Sequence, residues 1–514
     1  AAPMAERNDL AGLRQLLDGI NAGVEQKAER LIEASYAEAL DGRYRNARTA
    51  AMMAWTLDPK MPESRRQLAS RLRTTNDTGL LLALIDGSGP ISGIPIPLLL
   101  TYAAQLSYLN LQERALQLLD EARRGDPDYP ATLLSRGQVL TYLGKVEEAR
   151  SEFERCIRIA PQIGQAHWFL AHVGKATAAS NHVERLRRQL SAPAMPPQDR
   201  ACFAFALHKE LDDLGDHDGA WQALEQACVA KRSTLKYATG ESRQLVDVLI
   251  AMPAHVPADS AGQVDKTPVF ITGMHRSGTT LLEQLLDGSP HVHGLGELYD
   301  FTTAMRYATD HHCRGVIDQT IVERAGGLDF AKVGNRYLDG LAWRLGAQSH
   351  FTDKLPSNFL NIGFICQALP GAMVLHMVRD PLETCFSNLR ELFSDANPYS
   401  YDQAELADYY LHYRRLMAHW HRTFPGRILD VDYAELTRDP EATVRKVAAF
   451  CGIEYVEAMR DPRSSRRAVS TASAMQVRDG VVRRDRPKWA PYARQLQPLI
   501  KALRQGGIEV SELP

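Results

Sequence analysis

The chain has 514 residues, 45% hydrophobic and 24% charged, which is long enough for two or more domains with apolar cores. Its formal net charge of −2 excludes a global basic field of the kind that attracts nucleic acid, so any anion site must be built locally. Its seven cysteines lack metal-ligand spacing, which argues against a zinc site or a disulfide framework. Apolar runs stay well below the ~20 residues that span a bilayer, and residues 1–6 lack signal-peptide features. We therefore expect a cytoplasmic protein without a membrane or nucleic-acid partner.

The N-terminal half carries a pattern on a grid of 34 residues, which Pro59, Pro127 and Pro161 mark. Ahead of these prolines, small and apolar residues occupy the positions at which two helices of a hairpin approach each other. These residues are Ala47, Ala51, Ala54, Ala103, Leu106, Ala115, Leu119, Ala122, Gly137, Leu140, Ala149, Phe153 and Cys156, and Leu207, Leu211, Ala220, Leu224 and Ala227 form a further unit. Residues 74–97 fit the pattern poorly and indicate a degenerate repeat.

This pattern resembles the tetratricopeptide repeat and predicts an all-α solenoid over residues 1–262. A solenoid of stacked hairpins offers a concave surface. Two uses of it stay open: the solenoid binds a peptide or protein partner, or it supports the rest of the chain as a scaffold, for example in a homodimer.

The amino-acid composition changes near residues 251–266, where a segment rich in Pro, Ala, Ser and Gly precedes a short apolar run. Beyond it, runs typical of buried strands alternate with helical patterns, at residues 268–271, 372–378 and 427–431. Such alternation predicts an α/β domain with a parallel, P-loop-type sheet over residues 263–514.

The first predicted strand enters a loop bounded by Gly273 and Gly278 and followed by an apolar helix. The N–H groups of such a loop and of the helix start form an anion cradle. The spacing is that of GxxxxGK[ST], but Thr279 stands where nucleoside-triphosphate enzymes have lysine. The loop is therefore poorly suited to a triphosphate, whereas Arg276 offers a forked donor to a less charged anion.

The loop resembles the 5'-phosphosulfate loop of sulfotransferases, and within that superfamily the tyrosylprotein sulfotransferase branch. The residues that carry this resemblance are Arg276, Ser277, Gly278, Thr279 and Thr280. Arg379 after a predicted strand, with Ser387 eight residues later, resembles the pair that grips the 3'-phosphate of the donor PAPS (3'-phosphoadenosine 5'-phosphosulfate). The resemblance implies PAPS as the donor, PAP as its product and no metal.

Weaker matches extend the predicted donor site. Tyr433 stands where the family has a donor-contacting tyrosine, and Ser473 and Lys488 lie in a late, Lys/Arg-rich segment that resembles the loop closing over the donor. We favour a role for this basic segment in attracting a polyanionic donor or an acidic substrate. One departure is Glu391, which stands where tyrosylprotein enzymes tend to place a basic donor contact.

The resemblance also implies the residues that act on the transferred group. Glu297 is the predicted general base, with His293 as its competitor because cytosolic relatives use histidine. Lys354 would stabilise the bridging oxygen, and Arg276 would assist it. We therefore predict a PAPS-dependent sulfotransferase whose favoured acceptor is a tyrosine of a peptide or protein.

Three alternatives remain at this point. The acceptor could be a carbohydrate or small-molecule hydroxyl. A P-loop kinase would need the missing loop lysine, and a non-catalytic tetratricopeptide adaptor would have little reason to retain the predicted site residues.

Overall fold

The computed structural model describes residues 23–253, 266–465, 467–471, 474–478, 480–483 and 486–511. Ser473 and the predicted domain boundary at residues 262/263 lie outside these ranges. The chain divides into two compact units, one of Ala1–Pro127 with Tyr299–Leu345 and one of Asp128–Leu298 with Gly346–Pro514. The predicted division into residues 1–262 and 263–514 therefore stays a prediction. Within the described ranges, the helices fall short of the length and apolarity that crossing a bilayer requires.

The N-terminal part is helical, as the sequence predicts. Its helices are α1 (Val24–Leu40), α2 (Tyr44–Thr56), α3 (Pro62–Thr74), α4 (Thr78–Asp86), α5 (Ile96–Tyr108), α6 (Gln112–Gly125), α7 (Pro130–Tyr142), α8 (Val146–Ile159), α9 (Gly164–His172), α10 (Val183–Leu190), α11 (Pro197–Leu214), α12 (His217–Arg232) and α13 (Thr239–Ala251). Sequence neighbours pack in pairs: α1 with α2, α5 with α6, α7 with α8 and α11 with α12.

The repeat positions explain this pairing. All the predicted small and apolar positions are buried. A Cβ added at Gly137 would lie 2.4 Å from the Phe153 ring, so α7 and α8 can approach only because this position lacks a side chain. Pro59, Pro127 and Pro161 each follow the end of a helix by two or three residues. That these pairs form a tetratricopeptide solenoid stays a prediction.

A five-stranded parallel sheet lies in the second unit, with strand order β2-β3-β1-β4-β5. The strands are β1 (Thr267–Gly273), β2 (Val292–Gly294), β3 (His350–Lys354), β4 (Met373–Val378) and β5 (Ile428–Asp432). The predicted strands correspond to β1, β4 and β5, which confirms the parallel sheet, whereas β2 and β3 were not predicted.

Further helices follow β1 along the chain. They are α14 (Thr279–Leu286), α15 (Asp300–Thr309), α16 (Gln319–Arg324), α17 (Phe330–Leu341), α18 (Ile362–Ala368), α19 (Pro381–Leu389), α20 (Gln403–Thr423), α21 (Tyr433–Arg438), α22 (Pro440–Cys451), α23 (Ala474–Arg478) and α24 (Gln497–Gln505). Apolar residues of β1, β4 and β5 pack against α14 and α22 in one buried cluster. Burial under helices explains why β1 and β4 are nearly continuous apolar runs.

The parallel arrangement places the carboxyl ends of the strands at one edge. Gly273 pairs with Met377 and Val378 with Asp432, while Lys354 pairs with Ile271. In open α/β sheets ligands bind beside this edge. The residues that end the strands and start the following turns are therefore the place to look for a site.

Candidate active site

The loop after β1 is a tight turn that depends on its glycines. Gly273 and Gly278 have φ angles of +149° and +112°. A Cβ at Gly273 would lie 2.7 Å from the Met377 carbonyl oxygen, and one at Gly278 would lie 2.5 Å from the Tyr433 ring. The loop leads directly into the first turn of α14, where backbone N–H groups and the helix dipole favour an anion.

Two further loop residues have unusual environments. Arg276 adopts a left-handed φ of +67°, a conformation that costs energy for a non-glycine residue and is concentrated at functional sites. The Ser277 hydroxyl is buried and has no hydrogen-bond partner within the described residues. A buried hydroxyl without a partner is costly, so it provides a ready donor to a ligand oxygen at the cradle.

Arg276 meets the predicted Arg379/Ser387 pair. Its Nε donates to Ser387 Oγ at 3.3 Å, and its backbone carbonyl accepts from Arg379 Nη1 at 3.0 Å. Glu391 Oε2 lies 3.6 Å from Arg276 Nη1. Burial lowers the pKa of Arg276 and raises that of Glu391, while the opposite charge of each partner counteracts both shifts. Residues a hundred positions apart thus converge, and Glu391 balances part of their charge.

Glu383 organises the outer part of this cluster. It accepts from Arg379 Nη2 and from the Lys488 backbone N–H, both at 2.6 Å. The Arg379 guanidinium lies 4.5 Å from the centre of the Tyr433 ring. Tyr433 and Lys488 therefore lie at the predicted donor site beside Arg379, and Glu383 is a member of the site that sequence reasoning missed.

Glu297 and Lys354 form the second half of the site. Lys354 Nζ lies 2.6 Å from Glu297 Oε1; the lysine side chain is fully buried, and the glutamate is 35% exposed. His293 is part of β2 and pairs with Phe351, three residues before Lys354, which is ~10 Å along the strand. The geometry therefore favours Glu297 over His293 as the group that acts beside Lys354.

Glu283 holds the segment that leads to Glu297. This buried carboxylate accepts from the Gly296 N–H at 2.8 Å and from Thr352 Oγ1 at 3.0 Å, and it pairs with Arg467 at 2.8 Å. Burial would raise the pKa of Glu283, but Arg467 and Lys354 outweigh it and the pKa is lowered. The sequence gives no strong local signal for this role, because the residues that Glu283 contacts lie in other segments of the chain.

His275 adds a neutral imidazole to the loop. Burial, reinforced by the charges of Lys354 and Arg276, lowers the pKa of His275 to about 4. Its Nδ1 lies 3.2 Å from the Tyr399 hydroxyl and its Nε2 lies 3.4 Å from Ser357 Oγ. The ring is therefore uncharged at neutral pH and adds no positive charge to that of Lys354.

Comparison with known proteins identifies this part of the chain. Residues 268–457 match the model described as "Sulfotransferase family". Those residues form a sulfotransferase-family domain. An uncharacterized protein of Aquifex aeolicus (strain VF5) is 30% identical over 403 residues, covering 76% of this chain and 52% of that protein. The chain thus spans about half the length of this curated relative.

Solved structures are similar to parts of the chain. The sulfotransferase domain of the Synechococcus PCC 7002 olefin synthase shares 21% identity, covering 50% of this chain and 100% of its own, with a TM-score of 0.34. A thermophilic TPR protein of Thermus thermophilus shares 18% identity, covering 38% of this chain and 99% of its own, with a TM-score of 0.25.

The C-terminal end of α7 contacts the segment that follows the sulfotransferase-family domain in the chain. The carbonyl of Tyr142 accepts from the Val469 N–H at 3.1 Å and from Arg478 Nη2 at 2.7 Å. Burial raises the pKa of Tyr142, and the charge of Glu297 raises it further. Tyr142 therefore lies within electrostatic reach of the Glu297 carboxylate.

The late basic segment is partly committed to structural contacts. Arg467 pairs with Glu283, Arg463 pairs with Asp461, and Arg478 binds the α7 carbonyl. The segment nevertheless approaches the loop of the sulfotransferase-family domain, because Thr471 Oγ1 lies 3.3 Å from Thr280 Oγ1. These arginines are engaged by the protein itself, which weakens their predicted role in attracting a polyanion.

Proposed function

We propose that this protein is a PAPS-dependent sulfotransferase whose acceptor is a tyrosine hydroxyl of a peptide or protein. The observation that carries the proposal is the Glu297–Lys354 pair at the same sheet edge as a lysine-free anion loop. Few other activities need a carboxylate base, a buried cation and a phosphate-type cradle without a triphosphate-binding lysine at one place.

The residues of the loop fit the nucleotide end of such a donor. The Ser277 hydroxyl, unpaired within the described chain, and the N–H groups at the start of α14 suit the 5'-phosphosulfate. Arg379 and Ser387 suit a 3'-phosphate, since a guanidinium binds phosphate through paired N–H donors. When bound, the donor supplies an activated sulfuryl group, and the loop threonine at position 279 makes a triphosphate the poorer ligand.

The transfer step needs a base and a positive charge. Glu297 is partly exposed and accepts the proton of the acceptor hydroxyl, while Lys354, held in a dry position, neutralises negative charge at the leaving oxygen. Sulfuryl transfer resembles phosphoryl transfer in that positioning and charge neutralisation carry most of the catalysis. Glu283 keeps Glu297 in place through the Gly296 N–H.

The acceptor side supports a large substrate. Tyr142 of α7 lies within reach of the Glu297 charge, and Gln138 donates to its hydroxyl at 2.8 Å. A helix on this side of the base can hold the peptide chain around an acceptor tyrosine, a support that a small molecule does not require. A phenol also suits a carboxylate base, because its pKa of about 10 lies far below that of an alcohol.

The test is transfer of labelled sulfate. Full-length protein is incubated with labelled PAPS and host-cell extract, and labelled protein is separated from labelled carbohydrate and small molecules. Tyrosine peptides and their phenylalanine counterparts then serve as defined acceptors. Glu297→Gln should abolish the label, whereas Glu457→Gln, at an exposed acid, should not. Label confined to carbohydrate or small molecules would overturn the acceptor, and tighter binding of ATP–Mg than of PAP would overturn the donor.

A further inference from the structure

Two histidines and an aspartate meet at the edge strand of the sheet, where α20 ends. His376 of β4 and Asp430 of β5 are partners in the parallel register, and His421 belongs to the last turn of α20. His376 Nδ1 and His421 Nε2 lie 2.7 and 2.8 Å from the same oxygen, Asp430 Oδ1. One potential ligand atom from each residue thus lies within 4.8 Å of the others.

We propose that His376, His421 and Asp430 bind a divalent transition-metal ion of the Zn²⁺ type. Two imidazoles and one carboxylate, with a fourth position open to water, are a ligand set that zinc accepts. Nitrogen ligands favour Zn²⁺, Co²⁺, Ni²⁺ or Cu²⁺ over Mg²⁺ or Ca²⁺, which prefer oxygen. Nothing in the proposed sulfuryl transfer uses these three residues, so this inference is independent of the proposed function.

The three ligand atoms must rearrange to hold an ion. Tetrahedral ligands at ~2.1 Å from zinc are roughly 3.4 Å apart, so the two nitrogens must move away from Asp430 Oδ1 by about 0.6 Å. The nitrogens, which lie within 4.8 Å of each other, must take up the same separation. The side chains of His421 and Asp430 are 35% and 54% exposed, which leaves them room for this movement and gives the ion a path from solvent. The carboxyl end of α20 carries a partial negative charge that favours a cation.

A further contact prepares the buried ligand. The other ring nitrogen of His376, Nε2, makes a short hydrogen bond with the Tyr413 hydroxyl, also on α20. Metal-binding histidines in proteins usually have such a partner, which fixes the orientation and tautomer of the ring.

Metal binding predicts a change of tautomer at His376. The ring must present an unprotonated Nδ1 to the ion, so its proton moves to Nε2 and the hydrogen bond with Tyr413 then runs from the imidazole to the phenol oxygen. This change is visible in the ¹⁵N shifts of the ring and needs no mutation. The His376 imidazole stays neutral, so its proton only changes ring nitrogen.

The experiment titrates the full chain with Co²⁺ and Zn²⁺, with Mg²⁺ as the reference ion. We expect one Co²⁺ bound with the visible bands of a four-coordinate site, displaced by Zn²⁺, and a Zn²⁺-dependent rise in Tm. His421→Ala and Asp430→Asn change exposed ligands and should weaken binding by more than the about 10- to 100-fold that loss of an outer partner costs. His419→Ala removes a histidine on the same helix outside the cluster and should bind as the parent does.

Three results would overturn the proposal. The first is the absence of saturable Co²⁺ or Zn²⁺ binding, and the second is an unchanged metal affinity in His421→Ala. The third is a loss of affinity in His419→Ala that equals the loss in His421→Ala. An Nδ1-protonated His376 in the Zn²⁺-saturated chain would overturn it as well. The buried cysteines do not compete for the ion: burial raises the pKa of Cys385 and Cys366, and a protonated thiol is a poor ligand.

Discussion

The α7–α8 hairpin and the carboxyl edge of the sheet both bury charged groups, but in different surroundings. In the hairpin, Gly137 makes room for the Phe153 ring, and a buried ion pair of Arg136 with Glu152 joins the two helices. At the sheet edge, Lys354 and Arg276 are buried as ions, each beside a carboxylate. Buried ions seldom stabilise a fold more than apolar residues of the same size would. The hairpin thus combines close apolar packing with one internal ion pair, whereas the sheet edge accepts a cost in stability for the proposed action on an anion.

Removal of the Glu297–Lys354 pair should have the largest effect on activity. Lys354→Met and Glu297→Gln keep side-chain volume and should each lower turnover by about 10³-fold, the size of losing a preorganised transition-state contact. PAP affinity, measured by calorimetry, should change by less than about threefold. Turnover within tenfold of the parent for both variants would show that the pair is structural.

The opposite result is expected in the hairpin. Gly137→Ala places a methyl group against the Phe153 ring, which is stacked on Phe169, and should cost about 1–3 kcal/mol of unfolding free energy. PAP affinity of the folded protein should be unchanged. Gly79→Ala is the matched control, because an added Cβ there meets nothing within 4 Å and should be neutral or stabilising. Equal unfolding curves for the two variants would remove the packing argument.

Substitution of Arg379, the proposed 3'-phosphate contact, should have an intermediate effect on PAP affinity. Arg379→Gln should weaken PAP binding by about 10- to 100-fold, the range for losing hydrogen bonds to a charged group. Arg379→Lys should recover little of this, because a point charge cannot bond Glu383 and a phosphate in the planar way of a guanidinium. Adenosine 5'-phosphate lacks the 3'-phosphate and should bind all three proteins alike. Arg445→Gln, at an exposed arginine, serves as the control.

The smallest effect tests a charged cluster inside the helical part. His182 lies between Glu154 and Glu210, and the hydrogen bonds that it donates to both acids raise its pKa from 6.5 to about 9. The stabilisation is therefore complete below pH 6.5, declines as the pH rises, and is lost above about pH 9. Allowing for solvent screening, it amounts to about 1–2 kcal/mol. Denaturant unfolding at pH 6 and pH 10 should show this difference in the parent and not in His182→Gln.

The sequence predicts those parts of the molecule that can be recognised from a short segment of the chain. The strands β1, β4 and β5 are short apolar runs, and the glycine loop follows β1 directly. By contrast, β2 has only three residues, and β3 has a polar sequence although it is buried. The charge of Lys354 is balanced there by Glu297, which lies 57 positions earlier in the chain. The family resemblance implied a role for Lys354, but nothing local predicted that this residue ends a strand inside the sheet.

Contacts between distant segments explain what was missed at the sites. Glu283 and Glu383 act through residues up to about two hundred positions away, so their neighbours in the sequence give little indication of their roles. The metal ligands come from β4, α20 and β5, and the sequence shows no metal-binding spacing for that reason. Ser473, the remaining predicted donor contact, lies outside the described residues.

Glu283 has a consequence for how variants of this protein are interpreted. One carboxylate joins the helix after the loop, strand β3 and the segment that ends in Glu297. A random screen for inactive mutants would recover changes at position 283 together with those at the base. The two groups would separate only by temperature, since a variant that loosens Glu297 regains activity on cooling and one that removes the carboxylate does not.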